Sequence, residues 1–454
     1  MFSEEAALAD SVPHLVEAAW VIPVDPAETV LADHAVVVAD GRIRELLPAS
    51  AARERFPAAR RTELPGHALI PGLINLHTHA AMTLMRGLAD DRALMDWLQN
   101  HIWPVETRLV SGEFVRDGTL LACAEMLRGG ITCFNDMYFH PEAAARAALA
   151  AGMRAALGII VIEMPSAYAA DAQDYLSKGL ATRDELKHEG LLSFCVAPHA
   201  PYTVSDKAFE RIAMLQGVLD LPLHIHLHET RDEIEQSVAR HGERPLARLH
   251  RLGLVDANLI AVHAVHLSEQ EAGLLAAEGC HVAHCPSSNL KLASGIAAPV
   301  RLLEAGVNVG LGTDGAASNN RLDLFTEMRL AALLAKGTAD DPTALPAHTA
   351  LEMATVRAAR ALGLEDRIGT LAPGKCADMT AVDLGALELL PCYDPMSHLV
   401  YAAGREHVSH VWVNGELLLE NGRLTRLDTT ELAAKTTYWR ERIRSWDQQS
   451  GIEG

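Results

Sequence analysis

The sequence predicts an α/β protein: a (β/α)8 TIM-like barrel joined to a small composite β-sandwich built from the N- and C-terminal segments. Three observations predict it. Between residues 69 and 372, short apolar runs alternate with longer amphipathic ones, the pattern of βαβ units and a parallel sheet. Polar residues gather where those apolar runs stop, as they do at the C-terminal face of a barrel. Outside that stretch, both ends of the chain read as short strands joined by tight turns.

At the N-terminal end, Ala35 to Ala39 and Arg42 to Leu46 flank Asp40-Gly41, a two-residue hairpin signal. Eight strands follow, centred on 73–77, 131–135, 156–162, 192–198, 222–226, 259–263, 281–285 and 307–312. Helices are expected over 113–128, 141–152, 205–217, 230–252 (breakable at Gly242), 268–278 and 297–305. Near the far end, Val408 to Val413 turns at Asn414-Gly415 and returns through Glu416 to Leu419, so the two ends are expected to pair. The segments are therefore 1–68 for the N-terminal part of the sandwich, 69–372 for the barrel, and 373–454 for its C-terminal part and tail. Pro373-Gly374 is the expected exit from the barrel.

Composition narrows the function. The 454 residues are 49% hydrophobic and 22% charged, which supports a large core. With 39 basic against 59 acidic residues, the net charge of -20 opposes binding to nucleic acid or anionic membranes and favours a small-molecule substrate. Seven scattered cysteines without a Cys-x-x-Cys pair indicate neither a disulfide framework nor a thiolate metal site. The start, Met1-Phe2-Ser3-Glu4-Glu5, is acidic where a signal peptide is basic. A cytoplasmic protein is expected, with a homo-oligomer as the default for a soluble enzyme.

The chemistry begins at Pro71-Gly72-Leu73-Ile74-Asn75-Leu76-His77-Thr78-His79. Residues i and i+2 of a strand share a face, so His77 and His79 can present two imidazoles to one cation. His226 ends the fifth apolar run and Thr313-Asp314 follows the eighth, completing three imidazoles and a carboxylate with a place left for water. Such a site lowers the pKa of water from 15.7 to about 7, which points to hydrolysis. Taken alone, Asp314 in Gly312-Thr313-Asp314-Gly315 reads first as a helix N-cap or turn residue, and its position after the eighth strand reverses that in favour of the metal. Glu229 could carry protons or simply suit the first turn of a helix near Thr230. His263 ends the sixth run directly and is preferred to His266, and His199 follows the fourth. His224 reads as a partner of a ligand or a core histidine, His281 as structural and His284 as either. Cys285 has no base beside it to make it a nucleophile.

These residues carry a resemblance. Pro71 to His79, His226-Leu227-His228-Glu229, Gly312 to Gly315 and Pro373-Gly-Lys-Cys-Ala-Asp378 together resemble the amidohydrolase superfamily. Met82 to Asp91, Trp97 to Glu106 and Ala197 to Tyr202 are similar to its chlorohydrolase and deaminase branch, over roughly residues 20 to 420. The resemblance implies one divalent metal per chain, zinc with iron(II) as the alternative, held by His77, His79, His226 and Asp314. It also implies hydrolytic deamination of the adenine ring of a nucleoside such as 5'-methylthioadenosine or S-adenosylhomocysteine, with adenosine as a further substrate. In that chemistry Asp314 takes a proton from water and returns it to ammonia, Glu229 protonates N1, and His263 stabilises the tetrahedral centre. Glu106 meets the ribose hydroxyls, and His199 is another substrate contact. Deamination of guanine or a pterin, or dechlorination of a triazine, is the alternative. A non-catalytic barrel is a rival from another class, but such a relative is expected to have lost ligands that are all present here. The chain departs from the branch in one respect: 155–181 contains no arginine to pair the carboxylate of a homocysteine tail, and Arg154 is expected at the wrong end of the barrel.

Overall fold

Both hairpin signals fold as read, and they meet. The computed structural model describes residues 12–450, and the acidic run Met1 to Glu5 lies outside them. Strands β1 (His14–Val21), β2 (Leu31–Ala39), β3 (Arg42–Pro48) and β4 (Arg60–Pro71) come from the N-terminal segment. After the barrel strands β5 to β12, the chain adds β13 (Met379–Asp383), β14 (Val408–Val413), β15 (Glu416–Glu420) and β16 (Arg423–Leu424). All eight belong to one sheet, ordered β16-β15-β14-β13-β4-β1-β2-β3, in which antiparallel pairing of β13 with β4 joins the two ends of the chain. The sheet brings Val16, Val36 and Ile43 of the N-terminal segment into one core with Met379 and Trp412 of the C-terminal one.

The hairpin turns Asp40-Gly41 and Asn414-Gly415 both have positive φ at each residue, 53° and 74° in the first and 50° and 77° in the second. That is the twist a two-residue hairpin requires. The turns also touch: a Cβ on Gly41 would lie 2.6 Å from the Asn414 carbonyl oxygen, so only glycine permits the approach.

The barrel strands are β5 (Leu73–Thr78), β6 (Ile131–Asp136), β7 (Arg154–Val161), β8 (Leu192–Pro198), β9 (Leu223–Leu227), β10 (Leu259–His263), β11 (His281–His284) and β12 (Asn308–Leu311). They pair in parallel in chain order. Parallel strands covered on both faces are apolar throughout, which is why the sequence shows them as continuous runs. The seam between β12 and β5 is tied by side chains: Asn75 Oδ1 accepts from Thr313 N at 2.9 Å, and Asn75 Nδ2 donates to Thr313 Oγ1 at 2.7 Å. The expected helix over 230–252 is two, Arg231–His241 and Pro245–Arg251, parted at Gly242 with φ 75°. Helices at Leu94–Trp97, Trp103–Leu109, Ala172–Leu186, Leu324–Ala339 and Thr429–Ser450 lie beyond those expected from the sequence.

Arg154 begins β7 and ion-pairs Asp378, just before β13, through two hydrogen bonds of 2.9 and 3.1 Å, with both side chains buried. It therefore sits at the N-terminal end of its strand, joining barrel to sheet. Among the described residues no helix is long and apolar enough to cross a membrane.

Candidate functional site

The C-terminal ends of β5, β9 and β12 bring His77, His79, His226 and Asp314 together, with one potential ligand atom from each within 4.8 Å of all the others. Close approach of the strands makes this possible. A Cβ on Gly312 would lie 2.9 Å from both Cβ and N of His77, so β12 can reach β5 only with glycine there. Asp314 (φ 61°) and His263 (φ 70°) adopt the left-handed backbone at their strand ends, a conformation costing a non-glycine residue on the order of 1–3 kcal/mol and concentrated at functional sites.

The protonation pattern fits a metal. His79 Nδ1 faces the Met137 carbonyl at 2.6 Å and His226 Nδ1 the His199 carbonyl at 2.7 Å. A carbonyl only accepts, so both Nδ1 atoms carry protons and each Nε2 is the atom left to face a metal. His77 Nδ1 pairs with His224 Nε2 at 2.9 Å, which leaves its own Nε2 facing Asp314 Oδ1 at 3.2 Å. The Nε2 of His79 lies 3.3 Å from the same oxygen. These separations suit ligands of one ion with bonds of about 2.0–2.2 Å. Burial drives His77 down to about 4, although Asp314 opposes it, and takes His226 well below its ordinary value; both are neutral, as ligands must be. Burial also works against charge on His79, yet the Asp314 hydrogen bond and charge hold it up to about 9, so a metal would bind here by displacing the Nε2 proton. Burial alone would raise Asp314, but His77 and His79 keep it well below the usual carboxylate range.

A second set of side chains holds Asp314. Ser288 Oγ and Ser318 Oγ donate to its Oδ2 at 2.6 and 2.7 Å, and Gly315 N donates to Oδ1 at 2.8 Å. His263 Nδ1 pairs with Asn289 Oδ1 at 2.8 Å, and its Nε2 lies 3.7 Å from Glu229 Oε2. Glu229 accepts from Ser294 Oγ at 3.1 Å, and burial raises its pKa. Ser288, Asn289, Ser294 and Ser318 escaped sequence reasoning. The first two lie in Cys285-Pro-Ser-Ser-Asn289, whose polarity after the seventh strand was the available signal.

The cluster opens into a cavity of about 330 Å³, which Glu106, His199, Glu229 and His263 also line. Glu106, from the helix Trp103–Leu109, accepts from Tyr138 at 2.7 Å, and burial lifts its carboxyl to about 7. His199 is likewise forced down to about 3 by burial, and its Nδ1 meets Thr203 Oγ1 at 3.1 Å. The remaining wall is mostly apolar, with Trp97, Trp103, Ile160, Ile162, Met164, Pro165 and Tyr168, and among the described residues it contains no lysine or arginine. Several histidines stay outside the ligand group. His228 accepts from Leu246 N at 3.1 Å, His266 bonds the Ser294 carbonyl at 2.7 Å, and His284 is buried with Nδ1 unpartnered. Cys285 is buried and its thiol is pushed far up by that burial, the opposite of an activated nucleophile.

Three imidazoles and one carboxylate at the C-terminal face of a (β/α)8 barrel define a metal-dependent hydrolase. The chain belongs to the amidohydrolase family, whose model matches residues 68–418. Relatives from Teredinibacter turnerae and Saccharophagus degradans, both named 5-methylthioadenosine/S-adenosylhomocysteine deaminase, are 47% identical to it. Each alignment covers 95% of this chain, and they cover 98% and 97% of those relatives. The crystal structure of an adenosine deaminase from Xanthomonas campestris with bound zinc superposes with a TM-score of 0.94 at 50% identity, over 96% of this chain and 99% of that one. Atrazine chlorohydrolase from Arthrobacter aurescens, complexed with zinc, gives 0.86 at 25% identity, over 94% of this chain and 100% of that one.

Proposed function

We propose that the chain removes the 6-amino group of the adenine ring of 5'-methylthioadenosine, S-adenosylhomocysteine or both by hydrolysis, giving the inosyl product and ammonia. The observation that carries this reading is the make-up of one cavity: a three-histidine, one-aspartate group, a half-buried carboxylate at Glu106 with one oxygen left for a ligand, and an apolar wall. Ring, ribose and 5'-thioether each have a chemical match there. The deaminase relatives supply the substrate class. The net charge of -20 supports a small nucleoside rather than nucleic acid or membrane as partner. A cytoplasmic homo-oligomer is the working form we expect.

One divalent ion held by His77, His79, His226 and Asp314, zinc as in the Xanthomonas relative, supplies when bound a water activated near neutral pH. Asp314, its Oδ2 fixed by two serine hydroxyls, takes a proton from the attacking water and returns it to the departing ammonia. Glu229, its carboxyl raised by burial, gives a proton to ring N1 and recovers one as the C6 hydroxyl becomes a carbonyl. His263, braced by Asn289, stabilises the tetrahedral centre, a role worth about 10²- to 10³-fold in comparable sites. Glu106 accepts the ribose hydroxyls, and His199 contacts the substrate beside His226.

Ammonia release measured across free purines, nucleosides and 5'-thionucleosides tests the reading. Turnover of adenine nucleosides with little on guanine, pterins or triazines is expected. Release from a free base or triazine alone would overturn it.

A further inference from the structure

We propose that Glu233 is a positioning residue that aims Glu229 at the reacting ring, an inference that rests on the aminohydrolase reading for what Glu229 does. β9 ends at Leu227, and the chain then turns through His228, held left-handed at φ 54°, into Glu229 and the helix cap Thr230. Thr230 Oγ1 accepts from Glu233 N at 3.2 Å, the ordinary half of a capping box. The other half is extended. A glutamate at this position normally reaches back to the backbone N–H of the cap residue. Glu233 reaches beyond Thr230 to the two N–H groups before it, His228 N on Oε1 at 2.9 Å and Glu229 N on Oε2 at 2.8 Å.

Both carboxylate oxygens of a buried side chain thus grip the strained residue and its neighbour. The His228 ring is fixed as well, because its Nε2 accepts from Leu246 N. The Glu229 carboxylate has little comparable support. Its contacts are one serine hydroxyl at 3.1 Å and His263 at 3.7 Å, so its direction is set from its backbone, and that backbone is held by Glu233. Such a clamp matters for rate more than for binding, since Glu229 acts by delivering a proton along a fixed line.

Glu233→Gln keeps the shape but turns an amide N–H₂ toward one of the two backbone donors. The variant should retain wild-type metal content and a KM for 5'-methylthioadenosine within about threefold, while kcat falls about 10- to 100-fold, the scale of a misplacement near 1 Å. Hydrogen exchange in the peptide spanning residues 226–232 should quicken at the same time. Glu233→Asp, too short to reach both amides, is the second variant and should lose kcat likewise. Asp394→Ala is the control: Asp394 takes Met396 N and Ser397 N at 2.9 and 3.2 Å at the start of a helix that does not line the cavity, and its loss should leave kcat unchanged. Unchanged kcat in the Glu233 variants, or a loss that tracks loss of metal, overturns the proposal. If the wild type turns over no nucleoside, the aminohydrolase reading fails, and exchange alone decides: unchanged protection at 226–232 overturns the clamp.

Discussion

The Tyr138 hydroxyl donates a 2.7 Å hydrogen bond to Glu106 Oε1 inside the cavity and leaves Oε2 for a ligand. A carboxylate so placed suits a ribose diol and has no use for a free base. Glu106→Gln should therefore raise KM for adenine nucleosides about 10- to 100-fold, the worth of hydrogen bonds to a charged group, while any activity on free adenine changes little. Steady-state kinetics on both substrates checks it. Equal effects on the two would remove Glu106 from the ribose site.

The same residue predicts a pH dependence. Burial raises Glu106 to about 7, against the opposing pull of Tyr138 and His79. The ionised form is the better acceptor for two hydroxyls, so nucleoside binding is full above that value and weakens as pH falls through it. Tyr138→Phe removes a donor that favours the ionised form, and the fall in binding should then begin at higher pH. Profiles of KM against pH for the two proteins measure this, and a shift toward lower pH would contradict the assignment.

A third prediction concerns the joint between barrel and sheet. Arg154 and Asp378 are both buried, and Asp378 Oδ1 also accepts from Asn414 N at 2.7 Å. Removing one member leaves an uncompensated buried charge, so Asp378→Ala should cost about 3–5 kcal/mol of stability. Denaturant midpoints report the cost, and KM of the folded fraction should not move because neither residue lines the cavity. A cost below about 1 kcal/mol would mean that water reaches the pair.

Removing the metal should abolish ammonia release, and zinc should restore it. Protein purified without added metal should carry close to one equivalent. An ion present at 100 times its dissociation constant stabilises the fold by about 2.7 kcal/mol, so chelation should lower the unfolding temperature as well. Less than a tenth of an equivalent, with nothing restored by zinc or iron, would favour a non-catalytic barrel.

The barrel was legible in the sequence because buried parallel strands leave continuous apolar runs and because histidines at their ends break those runs abruptly. The two Xaa-Gly turns were legible because a two-residue hairpin needs positive φ at both positions, which few residues other than asparagine, aspartate and glycine tolerate. Other features needed coordinates. The helix Ala172–Leu186 carries Gly179 and polar residues through its interior, so its period is weak, and it is fixed by packing Gly179 against Ile159. The serines around Asp314 and the Asn289 behind His263 are ordinary loop residues until the fold closes over them. Glu233 stands three residues after Thr230, the position of a routine capping acid, and only its two long-reach hydrogen bonds reveal more.

The last prediction concerns which adenosine derivative is preferred. A homocysteine tail carries a carboxylate, and burying it without a partner is costly, whereas a methylthio group asks only for apolar surface. The loop after β7 contributes Met164, Pro165, Ala167 and Tyr168 to the cavity. Arg154 is committed to Asp378 at the other end of β7. Lys178, on the helix after that loop, gives its ammonium to the Tyr168 carbonyl at 2.6 Å and to Asp174 at 2.9 Å. With no lysine or arginine among the described residues that line the cavity to meet the tail, 5'-methylthioadenosine should be deaminated with higher kcat/KM than S-adenosylhomocysteine. Competition between the two substrates, followed by product analysis, measures the ratio directly. A tenfold preference for S-adenosylhomocysteine, about 1.4 kcal/mol in transition-state binding, would mean that Lys178 releases its partners or that another cation reaches the tail.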